Sequence, residues 1–91
     1  MTLIITKTAD KTIRRMDKGD QRRVVKAVDK LHEAPETDQA ETVKGTKSLR
    51  RYRVGDHRVI FTWDGTDLVI KDVVSRGQAY DPRRLRQLDK D

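Results

Sequence analysis

Cysteine is absent from this chain of 91 residues. No disulfide framework, thiolate nucleophile or cysteine-held zinc or iron site is therefore available. Histidine is scarce as well. His32 and His57, with scattered carboxylates, make no metal-ligand spacing, and no cofactor or metal is implied. Aromatic residues amount to 4% and apolar residues to 34%, so the expected core is thin. No apolar run approaches the roughly 20 residues of a membrane-spanning helix. The opening "MTLIITKTAD" lacks a basic segment followed by a long apolar one, which argues against a secretory signal. The expectation is a soluble, cytoplasmic protein without a membrane partner.

Charge is plentiful, at 40% of residues, with a net charge of +6. Regular apolar runs recur between the charges, so residues 1–91 read as one folded domain rather than a disordered chain. The basic excess is uneven. Residues 1–43 carry nine basic and eight acidic side chains, whereas residues 44–91 carry twelve and seven. Residues 44–58 alone hold six basic side chains against one acid, Asp56. A local excess of this kind suits a polyanion, most simply nucleic acid, or an acidic protein. A charge that serves only solubility is the plainer alternative.

The pattern along the chain predicts an α+β domain in the order β-α-α-β-β-β-α. "LIITK" (3–7) is short, β-branched and apolar, as a first strand should be. Thr8 is placed to cap a helix with Ala9, Ile13 and Met16 on one face, and Gly19 to stop it. Asp20 is placed to cap a second helix, whose apolar stripe is Val24, Ala27, Val28 and Leu31. "EAPETDQAET" (33–42) is polar, contains Pro35 and reads as a loop. "SLRRYRV", "HRVIFTW" and "DLVIKDVV" read as strands joined at Gly55-Asp56 and at "DGT" (64–66), an antiparallel meander. Asp81 and Pro82 suit the cap and first position of a short last helix presenting Leu85 and Leu88.

"LRRYRV" raises the functional question. Side chains alternate along a strand. Tyr52 and Val54 then face the helices, and Arg51 and Arg53 face away. Arg58, across the tight turn, can join them. Guanidinium is planar, permanently charged and bidentate towards phosphate oxygens. The three arginines therefore make a candidate phosphate cradle. A solvated sheet face with charge partners such as Asp72 is the alternative. His57 has the opposite parity and reads as a rim residue, and Trp63 as a packing residue.

"LRRYRVGDHRVIFTW" (49–63), followed by "DVVSRGQAY" (72–80), resembles the signature of the RelE/ParE toxin superfamily. The pattern is a strand with alternating basic residues, a Gly-Asp turn, and an arginine opening an apolar strand. An arginine a few residues before a tyrosine completes it. The order of elements matches over essentially the whole chain. The resemblance implies a toxin of a type II toxin–antitoxin system. In its RelE-like form this is an endoribonuclease that cuts mRNA on the ribosome, without a metal, through the 2′-hydroxyl. The implied site residues are Arg51, Arg53, Arg58, Arg76 and Tyr80. The first two positions are commonly lysines in the best-known RelE type. Arginine keeps the phosphate-holding role and loses any role that needs a deprotonated amine. Tyr80 is placed either as a base, with clustered cations favouring its phenolate, or as a stacking platform. The implied partners are a cognate antitoxin protein, the ribosome and mRNA. The ParE-like alternative binds and inhibits DNA gyrase and cuts nothing; an inactive family member is a further alternative.

Overall fold

Thr6 decides how the chain begins. In the computed structural model, which describes residues 2–75 and 82–90, β1 spans Thr2–Ile5 and α1 spans Lys7–Arg15. Thr6 stands between them. Its hydroxyl accepts a hydrogen bond from the Ala9 amide at 3.1 Å and donates one to the Lys71 carbonyl at 2.9 Å. One side chain thus caps the helix and ties it to the sheet. Thr8, the cap expected from the sequence, lies two residues too late and falls inside α1.

The second helix starts early for the same kind of reason. α2 spans Lys18–Glu33, and Asp17 caps it by accepting from the Asp20 amide at 2.8 Å. Gly19, expected as a stop, and Asp20, expected as the cap, both lie in its first turn. The reversal between α1 and α2 is made instead at Met16 and Asp17, whose backbones are extended. The expected stripe is intact: Val24, Ala27, Val28 and Leu31 are all buried.

The remaining strands are β2 (Glu41–Thr42), β3 (Arg50–Val54), β4 (His57–Trp63) and β5 (Asp67–Ser75), and α3 (Pro82–Lys90) follows. They build one five-stranded sheet in the order β1-β5-β4-β3-β2. The β3-β4-β5 meander is antiparallel, and β1 joins β5 in parallel. Gly55 has φ +60 at the first turn position. Glycine there gives the two-residue turn whose twist matches its strands. At the next hairpin Asp64 accepts from the Thr66 and Asp67 amides at 2.8 and 2.7 Å, which lowers its carboxyl pKa. β2 was not expected; two residues of the 33–42 loop pair with Arg50 and Arg51.

The sheet is covered on both faces. α1 and α2 pack Ala9, Val24, Val28 and Leu31 against Val59, Phe61, Leu68, Ile70 and Val73. Tyr52, Val54 and Trp63 border this core. On the other face, α3 brings Leu85 and Leu88 onto Val43, Leu49, Ile60 and Val74. A bulge makes the second core possible. Ile60 pairs with Asp72 and Phe61 with Ile70, so Lys71 is left over. The extra residue reverses the alternation of β5. Asp72 and Val74 therefore join the α3 face, although Leu68 and Ile70 face the helical hairpin.

Asp72 is fully buried. β1 leaves β5 after Ile70, and α1 takes its place alongside. The Asp72 carboxylate accepts from the Thr12 hydroxyl at 2.7 Å and from the Val73 amide at 2.7 Å. It also pairs with Arg84 of α3. A buried carboxylate is tolerable only with such partners, and these join α1 and α3 to one strand.

Leu31→Ala should destabilise the fold by about 2–5 kcal/mol, since Leu31 has no exposed surface to relax into. Asp17→Ala should cost about 1 kcal/mol through loss of the α2 cap. Urea unfolding of both variants measures this, and a shorter effect for Leu31→Ala than for Asp17→Ala would contradict the packing described.

Candidate active site

The β3-β4 register brings three of the expected arginines together. Arg53 lies directly opposite Arg58, and Arg51 opposite Ile60. All three belong to the face turned away from α1 and α2. α3 covers the middle of that face, around Ile60 and Val74, and the arginines stand towards the Gly55-Asp56 end.

Their environments differ sharply. Arg53 is exposed. Arg51 is held by Glu41 on the neighbouring strand: its Nε and one terminal nitrogen donate to a Glu41 carboxylate oxygen at 3.2 and 2.7 Å. Arg58 is only 5% exposed. One terminal nitrogen donates to the Gly55 and His57 carbonyls at 3.3 and 3.1 Å. Its Nε is buried with no hydrogen-bond partner among the described residues, and no carboxylate among them forms an ion pair with it. Such a cation is costly to bury and gains strongly from an arriving anion.

Glu41 reports the shared field of the cluster. The Arg51 hydrogen bond and charge hold its carboxyl below the usual value, and Arg53 and Arg58 add to the effect. Reading residues 33–42 as a plain loop missed Glu41. A signal was present: Ala40 and Val43, both buried, flank a short polar pair in a loop that must return to the sheet.

Other expectations find definite places. Asp72 does not balance the basic face; Thr12 and Arg84 take its oxygens. His57 turns to the helical side, with Nε2 3.2 Å from an Asp20 oxygen. Arg50 has the parity of Tyr52. It donates to the Thr37 and Ala40 carbonyls and lies over the Phe61 ring at 5.9 Å. Arg76, Tyr80 and the expected cap Asp81 lie outside the described residues. Among the described residues no cluster of three or more His, Cys, Asp or Glu side chains can hold a metal ion, and no helix is long and apolar enough to cross a membrane.

The family model of the ParE toxin of the type II toxin–antitoxin system parDE matches residues 3–80. The chain belongs to this toxin family. It is a member of the RelE/ParE superfamily, and its fold is shared with solved RelE structures. A mutant of the Escherichia coli toxin RelE in the free state aligns with a TM-score of 0.73 at 12% identity, covering 94% of this chain and 93% of that one. The RelBE2 toxin–antitoxin complex of Mycobacterium tuberculosis contains a chain with a TM-score of 0.72 at 22% identity, over 82% and 96%. The RelE-RelB complex of Pyrococcus horikoshii contains one at 0.66 and 26% identity, over 85% and 96%. No curated protein matches the sequence closely enough to count as a relative. In this ParE-family toxin the basic face lies on the β3-β4 hairpin.

The lowered Glu41 pKa has a testable sign. Its ion pair with Arg51 is present above the ordinary carboxyl value of 4.5 and is lost as pH falls through the lower folded value. A carbon-13 NMR titration of the Glu41 carboxyl should give a midpoint below 4.5, and Arg51→Gln should move it upward. A midpoint unmoved by that substitution would remove the ion pair from the description.

Proposed function

We propose that this toxin is a RelE-like endoribonuclease that cuts mRNA on the ribosome and is neutralised by a cognate antitoxin. The observation that carries the reading is the buried Arg58 guanidinium, without a hydrogen-bond partner at Nε among the described residues and directly opposite Arg53. A phosphate oxygen is the ligand such a pair lacks. In the reaction, the 2′-oxygen bonds to the adjacent phosphorus and the bond from phosphorus to the 5′-oxygen breaks. The products are a 2′,3′-cyclic phosphate and a 5′-hydroxyl. The phosphorane on the way carries extra negative charge, and fixed cations stabilise it more than they stabilise the starting diester.

Arg58 supplies one such cation, with Arg76 as the second. Arg53 and Arg51 hold the flanking backbone. Arg51 must exchange its Glu41 carboxylate for a phosphate, so the exposed Arg53 makes the first contact. Tyr80 takes the 2′-hydroxyl proton, helped by cations that favour the phenolate, and the departing 5′-oxygen takes its proton from water. The antitoxin partner is supported by relatives solved as RelB complexes. A basic toxin of net charge +6 suits an acidic neutralising segment.

A second reading has its own support. The matching family model is that of ParE, and ParE-like inhibition of DNA gyrase needs no cutting residues. One experiment separates the two. After controlled expression, mRNA 5′ ends are mapped by primer extension while plasmid supercoiling is followed. New 5′-hydroxyl ends within translated messages, with supercoiling intact, are expected. Collapse of supercoiling without new ends would establish the gyrase reading instead. Arg58→Met, which keeps the buried stem, and Arg76→Ala should each lower cutting by at least about 100-fold, the scale of removing one transition-state donor. Full cutting by both would remove them from the site. Naked RNA should be cut poorly if the ribosome completes the geometry.

A further inference from the structure

A second basic surface lies on the opposite side of the sheet. α2 and the outer edge of β3 enclose a groove of about 200 Å³ lined by Arg23, Lys26, Ala27, Lys30, Tyr52, Arg53 and Val54. Four of these are cations and none is an acid. A second cavity of about 240 Å³ continues it past Lys30 and Tyr52 towards Thr37 and Gln39, with Glu33 the one acidic residue in its lining. β2 pairs with β3 only at Arg50 and Arg51, so among the described residues no strand closes the groove beside Tyr52–Val54.

The cations are arranged, not scattered. Arg23, Lys26 and Lys30 follow one stripe of α2 over about 10 Å of helix. Lys26 and Lys30 are exposed. Among the described residues neither they nor Arg53 form an ion pair. The nearby acid, Asp20, is already engaged by His57 at 3.2 Å and reaches Arg23 only at 3.8 Å. Tyr52 lines both cavities. Arg53 lines the groove and is also the cross-strand neighbour of Arg58.

We propose that the α2–β3 groove is a binding track for single-stranded RNA. Arg23, Lys26 and Lys30 hold its phosphates, Tyr52 offers a ring to its bases, and Arg53 leads the strand round the sheet edge. A line of cations beside an aromatic side chain is the arrangement that binds single strands without reading sequence. Charge complementarity alone also suits an acidic polypeptide. Tyr52 in both cavities and continuity with the arginine face through Arg53 favour the nucleic acid. The track goes beyond the endonuclease reading and stands whether or not the Arg58 face cuts.

The test is equilibrium binding of the full chain to a labelled oligouridylate of about 12 nucleotides, by fluorescence anisotropy at several salt concentrations. Lys26→Gln with Lys30→Gln should weaken binding by about tenfold or more and flatten the log–log salt slope by about 1.4, two lost phosphate contacts on a single strand. Lys7→Gln with Lys11→Gln on α1 removes the same charge from exposed positions and should leave affinity within about threefold. Matched thermal melts establish that all variants are folded. Equal weakening by the two pairs would reduce the effect to net charge and overturn the proposal. So would absence of RNA binding. An oligoglutamate of equal length that binds more tightly than RNA, and depends on Lys26 and Lys30, would overturn it in favour of an acidic protein segment. Cutting on ribosomes is scored separately. A chain that binds RNA through Lys26 and Lys30 but never cuts defeats only the endonuclease reading. Cutting without that binding defeats only the track.

Discussion

The two-residue turn at Gly55 and Asp56 closes β3 onto β4 in a single register, and the chemistry of the molecule depends on it. In that register Arg53 opposes Arg58 and Tyr52 opposes Val59. A slip of one residue would carry every side chain of β3 to the other face. Tyr52 and Val54 would leave the core, and Arg51 and Arg53 would enter it. The core therefore enforces the register that places the arginines, and glycine at φ +60 makes the turn that the register needs.

Two helical layers then give the faces different characters. The helical hairpin seals one side with the stripe of α2, and α3 covers the middle of the other. Among the described residues basic side chains stand on both sides: Arg53 with the buried Arg58 on one, and the α2 stripe with Arg53 on the other. Arg53 belongs to both because it lies beyond the end of β2. β2 ends before it reaches Arg53. Two more paired residues would close the edge at which the surfaces meet.

Much of this was legible in the sequence, and the exceptions share a cause. The meander, the α2 stripe, the hairpin turns and the outward parity of Arg51 and Arg53 follow from local periodicity. The helix starts were misplaced by two or three residues. Thr8 and Asp20 are acceptable caps locally, but Thr6 alone also reaches the Lys71 carbonyl, and Asp17 alone suits the extended reversal. Glu41 was read as loop because its partner Arg51 stands ten residues later. The bulge at Lys71 does turn Asp72 to the arginine side of the sheet, but it cannot balance the arginines there because Thr12 and Arg84, from distant segments, take its oxygens.

The sequence by itself determined that the chain is a small α+β domain with arginines concentrated on one strand pair, and it carried the likeness to RelE and ParE toxins. Period-two and period-3.6 patterns are local, and local patterns survive in one dimension. Tertiary structure decided which charges are already spoken for. Arg51 is engaged by Glu41, Asp72 by Thr12 and Arg84, and Asp20 by His57, while Arg58 is buried and Lys26, Lys30 and Arg53 line an open groove. Charge pairing depends on distances between segments far apart in the chain, and only the folded arrangement of strands, bulge and helices sets those distances.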